Sequence, residues 1–304
     1  MLKLNSLSGF GSGVSGAAGS NGYTSGGAED GGLGVCDVID KFPFASDTNA
    51  TDVGDLTAVK TTTAGQYSTD YGYASGGGST DVIEKFPFAS DANATDVGDL
   101  TLTRNAASGQ SSSVSGYTSG GKGASMSDVI DKFPFASDTN AADVGDITVA
   151  KRLVVGQSSA DNGYVSGGYI STDQIDIEKF PFASDTNSSD IGDLTRSTRG
   201  AAGQSSTDNG YVSGGSDAST EDVIDKFPFA SDTNAADVGD LTDGKWGVTG
   251  QSSSVSGYAS GGYTAGDPAG NSNVIEKFPF ASDTNGADVG DLTVARYQVT
   301  GHPT

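Results

Sequence analysis

Asp81-Val82-Ile83-Glu84-Lys85-Phe86-Pro87-Phe88-Ala89-Ser90-Asp91 returns, lightly edited, six times in 304 residues. The Phe-Pro-Phe cores begin at Phe42, Phe86, Phe133, Phe180, Phe227 and Phe278. Side chains alternate along a strand, so Phe42 and Phe44 share one face and Pro43 takes the other. Proline donates no ladder hydrogen bond, so a bulge or an edge is expected at Pro43. The Ser-Asp-x-Asn that follows reads as a hairpin loop whose Asp and Asn bond their own backbone.

Working outward, a second motif, Gly-Tyr-x-Ser-Gly-Gly, is also sixfold, with its tyrosines at Tyr23, Tyr73, Tyr117, Tyr164, Tyr211 and Tyr258. The distance from Phe42 to Gly76 is 34 residues, and it recurs from Phe86 to Gly120, Phe133 to Gly167, Phe180 to Gly214 and Phe227 to Gly261. From the second Gly of each pair to the next Phe the count varies: 15, 9, 12, 12, 12 and 16. One connection per unit therefore absorbs all the length variation, and free loops of this kind carry recognition. The links 28–36, 122–127, 169–175, 216–222 and 263–273 are expected on one face, together with the connections between units. Four strands per unit follow from the short apolar segments bounded by Gly, Asn, Asp and Ser. No helical stripe of useful length occurs.

Tyr164-Val165-Ser166-Gly167-Gly168 resembles the aromatic strand and Gly-Gly pair of kelch repeats. The basic residue after strand four keeps kelch order at Lys60, Arg104, Lys151, Lys245 and Arg296, with Thr198 as the exception. The usual strand-four Trp is missing. The resemblance implies an all-β fold, a six-bladed β-propeller of four-stranded kelch-like blades. Open strand edges invite aggregation, so the ring is expected to be closed by a terminal strand. Thr293–His302 matches Thr148–Gln157 position for position, which makes the C-terminus a seventh first strand for the slot beside Gly22–Gly27. Residues 1–18 are a Gly/Ser-rich arm or a competitor for that slot, and 19–304 form the repeat domain. A closing strand donated to a neighbour would polymerise the protein. The wording Lys-Phe-Pro-Phe-Ala-Ser-Asp-Thr-Asn is also similar to repeats in structural proteins, tail fibres or appendages, of marine bacteriophages.

A formal net charge of -23 opposes binding to nucleic acid or anionic membranes. One cysteine, Cys36, excludes an internal disulfide framework. No signal peptide is read at Met1–Leu4, and no run approaches the roughly 18 apolar residues of a membrane helix. The expected setting is a virion or the cell exterior, with no membrane insertion. No cofactor is expected. Asp47, Asn49 and Asp52, with Asp138, Asn140 and Asp143, offer the hard oxygens calcium takes, but an Asx-turn hairpin explains them without an ion. Six equivalent acids before each Phe-Pro-Phe, Asp40 and Glu84 among them, lack the asymmetry of a catalytic pair. Gln66, Gln110, Gln157, Gln204 and Gln251, with His302 in the sixth place, are placed on the innermost strand, where polar packing is the expected role and lining or plugging a central channel the alternative. One His and one Cys build no nucleophilic or metal site.

The expected function is a non-enzymatic structural or adhesive protein of a virus particle. Its partners would be copies of itself, other structural proteins, or a cell-surface glycan or protein receptor. The alternative is a secreted bacterial carbohydrate- or protein-binding module. Candidate binding-face residues are Lys122, Tyr169, Ile170, Tyr263, Asp267 and Trp246. Trp246 is read as equivalent to Leu153 and Ala106, and as local packing before a sugar platform.

Overall fold

The computed structural model describes residues 20–29, 34–265 and 270–303. The protein is all-β, with no helix among the described residues. Each repeat forms an antiparallel sheet built on four strands, and two small sheets, of two and three short strands, accompany these six among the described residues. The second is typical: Ala64–Tyr67, Tyr71–Ser75, Val82–Pro87 and Thr95–Asp99 pair in that order. In the first sheet the C-terminal strand Thr300–Pro303 pairs with Asn21–Glu29, aligning Tyr23 with His302 and Ser25 with Thr300. Val35–Pro43 and Thr51–Asp55 complete it. The slot is thus held by the C-terminal strand; residues 1–18 lie outside the described residues. The arrangement is consistent with a β-propeller.

The bulge is not at the proline. The third and fourth strands slip register between Ile39 and Asp40, opposite Gly54 and Asp52, and the same slip recurs in all six sheets. Lys41 is the last residue to pair with the fourth strand, through Thr51. Pro43 lies beyond it and faces only Asn21 of the second strand. Its missing N–H therefore leaves no gap in the ladder.

Between sheets the packing is aromatic. A methyl at Gly22 would lie 2.4 Å from Cζ of Phe42, so the Phe ring rests on its partner strand's glycine. The adjacent Tyr23 points the other way, onto Phe86 and Phe88 of the next unit, with ring centroids 5.7 and 4.9 Å apart. The series ends with Tyr258 on Phe42 and Phe44. Gly-Tyr and Phe-Pro-Phe are thus two halves of one contact. Each buried ring contributes on the order of 2–3 kcal/mol, and each aromatic pair about 0.5–1.5 kcal/mol more.

Charges follow the same one-unit step. The acid before each Phe-Pro-Phe is buried and meets the basic residue of the preceding unit: Glu84 with Lys60, Asp131 with Arg104 at 2.8 Å, Glu178 with Lys151 at 2.8 Å, Glu276 with Lys245 at 2.5 Å, and Asp40 with Arg296 at 2.8 Å. A threonine of the preceding unit adds its N–H and hydroxyl, as Thr57 does to Glu84 at 2.9 and 2.6 Å. Asp225 is the exception, because Thr198 replaces its basic partner. Thr195 still donates to it, but burial pushes its carboxyl above the ordinary 3.8, with Arg196 opposing only in part. The lysines of the Phe-Pro-Phe segment point outward and pair with the next hairpin, as Lys85 does with Asp138 at 2.6 Å.

The first strands approach backbone to backbone. A methyl at Gly109 would sit 2.0 Å from the carbonyl oxygen of Gly65, and one at Gly65 would sit 2.3 Å from that of Gly301. The contact continues from Gly301 to Gly250, Gly203, Gly156 and Gly109. These strands bound a channel of about 160 Å³.

Candidate functional site

Before each first strand the chain makes a tight turn with one residue in the left-handed region: Thr62, Ala106, Leu153, Gly200, Gly247 and Gln298, with φ between 53 and 64°. Four of these are not glycine, and each such residue costs about 1–2 kcal/mol. Backbone hydrogen bonds offset that cost. Ala106 N–H donates to Thr62 O, Leu153 to Ala106, Gly200 to Leu153, Gly247 to Gly200, Gln298 to Gly247 and Thr62 to Gln298, at 2.7–3.0 Å. Six turns are thereby tied together on one face.

The residue just before each turn is of five kinds in six units: Thr61, Asn105, Arg152, Arg199, Trp246 and Tyr297. Each bonds to the residue that follows a Gly-Gly pair. Asn105 pairs with Lys122, Arg152 with Tyr169, Arg199 with Ser216, Trp246 with Tyr263 and Tyr297 with Ala28. Gly78 N–H donates to Thr61 O. The variable links and the inter-unit connections therefore meet on this face.

A cavity of about 630 Å³ opens here, lined by Asn105, Arg152, Tyr169, Arg199, Trp246 and neighbours. The Arg152 and Arg199 guanidiniums lie 5.4 and 5.0 Å from the Tyr169 ring centroid. Arg199 is also held by Asp173 at 2.8 Å. Trp246, Tyr263 and Tyr297 form a half-buried trio with centroids 5.4–6.5 Å apart. Gly200 leaves the Trp246 indole room to lean over the turn; a methyl there would lie 3.6 Å from Cε3.

The structure brings Tyr169 and Trp246 to one cavity and places Tyr263 behind Trp246. Lys122 does not line it but is bonded through its backbone to Asn105, which does. Ile170 closes a turn through its N–H to Thr172 O. Asp267 lies outside the described residues. Arg152, Arg199 and Tyr297 were not anticipated. Their signal was present, because aligning the units on the basic residue places them in register with Trp246. That alignment also corrects Trp246, whose counterparts are Arg152 and Asn105; Leu153 and Ala106 match Gly247.

The glutamines pack between the sheets, as the polar-packing reading has it, while Gln110 and Gln157 also border the channel. Gln66 Nε2 donates to Tyr117 O of the next sheet at 2.9 Å, and Gln110, Gln157, Gln204 and Gln251 repeat the bond to Tyr164, Tyr211, Tyr258 and Tyr23. All are buried between sheets. His302 is buried likewise, its Nε2 2.9 Å from Ser25 Oγ and its Nδ1 3.3 Å from Gln66 O.

The acid-rich hairpins spend their oxygens on the preceding unit and on their own backbone. Asp47 pairs with Lys277 at 3.0 Å and Asp138 with Lys85. Asn49 and Asn140 accept from the N–H of Asp291 and Asp99. Asp52 and Asp143 accept from Gly54 and Gly145, two residues on. No group of three or more His, Cys, Asp or Glu side chains gathers as metal ligands among the described residues. No family model matches the chain, and no curated protein matches it either.

Proposed function

We propose that this chain is a six-bladed, kelch-like β-propeller closed by its C-terminal strand. It works as a non-enzymatic adhesive or structural protein of a virus particle, as a phage appendage or decoration. Support for the ring comes from contacts that step from each unit to the next and return: Tyr258 to Phe42, Arg296 to Asp40, Gln298 to Thr62. The order of Gly-Gly, variable link and basic residue supports the kelch reading. The repeat wording supports the virion setting.

One observation carries the binding role. Side chains that pack the sheets are nearly the same in every unit, whereas those on the turn face vary from unit to unit and several gather around one cavity. A surface so individual on a frame so repetitive suits recognition. The buried carboxylates are committed to cations and threonines within the fold, which favours a non-catalytic protein. The aromatic trio favours a second reading, a secreted carbohydrate-binding module with the same face.

Purified virus particles probed with an antibody to the chain should carry it on an external appendage. Its absence from particles would move the protein to the secreted reading. Cells of the host should bind the wild-type protein, and Trp246→Ala should weaken that binding about tenfold or more, with the melting temperature unchanged. Wild-type protein that binds neither cells nor other particle proteins would remove both readings.

A further inference from the structure

The chain has 39 acidic and 16 basic side chains, so cations are scarce. Among the described residues, every Lys and Arg except Lys122 and Arg152 lies within ion-pair distance of a carboxylate. Both exceptions are on the turn face. Arg199, beside Arg152, is neutralised by Asp173. Arg152 keeps an uncompensated charge, and its Nε is buried with no hydrogen-bond partner. Tyr169 orients the guanidinium by stacking. The same cavity presents the Trp246 indole next to Gly200, backed by Tyr263 and Tyr297.

We propose that this cavity binds the carboxylate-bearing end of a glycan, a uronic or sialic acid. The inference rests on the adhesive reading above and names its ligand class. The carboxylate meets Arg152, whose planar fork matches two carboxylate oxygens, with Lys122 beside Asn105 adding positive potential. The sugar ring lies against Trp246. A cavity of about 630 Å³ has room for one or two sugar residues. The body's charge of -23 repels an extended polyanion, so a single acidic residue at a chain end fits better than a polyanionic strand. An acidic peptide would satisfy Arg152 but leave the indole without a flat partner.

The test uses the full chain on an array of uronate-terminated, sialate-terminated and neutral glycans, followed by calorimetry with 3′-sialyllactose, a glucuronate disaccharide and lactose. At least one acidic class should bind about tenfold or more tighter than its neutral counterpart, the size expected for a charge-assisted hydrogen bond. Arg152→Met should remove that preference, and Trp246→Ala should weaken every glycan bound. Arg152 makes no ion pair, so the melting temperature should hold. If Arg152→Met melts lower, Arg152→Lys keeps the charge without the fork and should retain part of the preference. Equal binding of neutral glycans, an unchanged preference in Arg152→Met, or capture of a glutamate-rich peptide in place of acidic glycans overturns the inference but leaves adhesion standing. Binding to no glycan and to no host cell overturns both.

Discussion

Asp131 and Asp225 occupy the same place in the third and fifth repeats, and what faces them differs. Asp131 meets Arg104 at 2.8 Å, and both are buried. Removing one member of a buried pair strands the other charge, so Asp131→Asn should cost about 3–5 kcal/mol. Asp225 has Thr198 where that cation would be, and burial holds its carboxyl above the ordinary value. A raised carboxyl means that the folded state keeps its proton better than the unfolded chain. That contribution is present at low pH and is lost as pH rises through the raised folded value. At neutral pH an ionised Asp225 is therefore a liability, and Asp225→Asn should cost about 1 kcal/mol or less. Urea denaturation of both variants at pH 7 checks this; equal losses would show that Arg196 fully replaces the missing partner. The residue pattern made Thr198 visible as the exception. It did not show that the acid is buried, because burial comes from the neighbouring sheet.

Among elements, the C-terminal strand has the chain's only histidine where five other first strands have glutamine. Burial holds His302 down to about 4 from its ordinary 6.5. Its ring touches Ser25, Gln66 and the edge of Phe86, with no carboxylate among these contacts. The unfolded chain takes up the proton first as pH falls. Stability is therefore complete above about pH 6.5 and declines toward pH 4, by about 3 kcal/mol in all. His302→Gln restores the residue of the other units and should flatten this decline. Denaturation curves at pH 7 and pH 4.5 measure it, and an unchanged slope in the variant would place the titration elsewhere. Four strands per unit, the hairpin and the C-terminal strand as a seventh first strand were all readable from spacing. Of the bulge or edge expected at Pro43, the structure has the edge, because the fourth strand stops pairing at Lys41, and the bulge falls at Ile39–Asp40 instead.

At the scale of the whole molecule, every kind of contact links one unit to the next, and the sixth unit to the first. Removing residues 300–304 would free the Asn21–Ser25 edge and take away the Thr300–Thr63 hydroxyl bond along with His302. An open strand edge pairs with other chains, so the truncated protein should associate more than the full chain does. Light scattering after size-exclusion chromatography would show this; an unchanged mass and melting temperature would mean that the fold does not depend on its last strand.

The repeat phrase, its alternation and its glycines determined a four-stranded all-β unit, because pleat, turn and hairpin are local properties that a few adjacent residues settle. Which charges pair, where the glutamines point, and that Arg152, Tyr169 and Trp246 share a cavity were decided only by the tertiary structure. Those partners lie tens to hundreds of residues apart, as Arg296 and Asp40 do. They meet only because glycine backbones let the first strands pack together and bring six dissimilar turns onto one face.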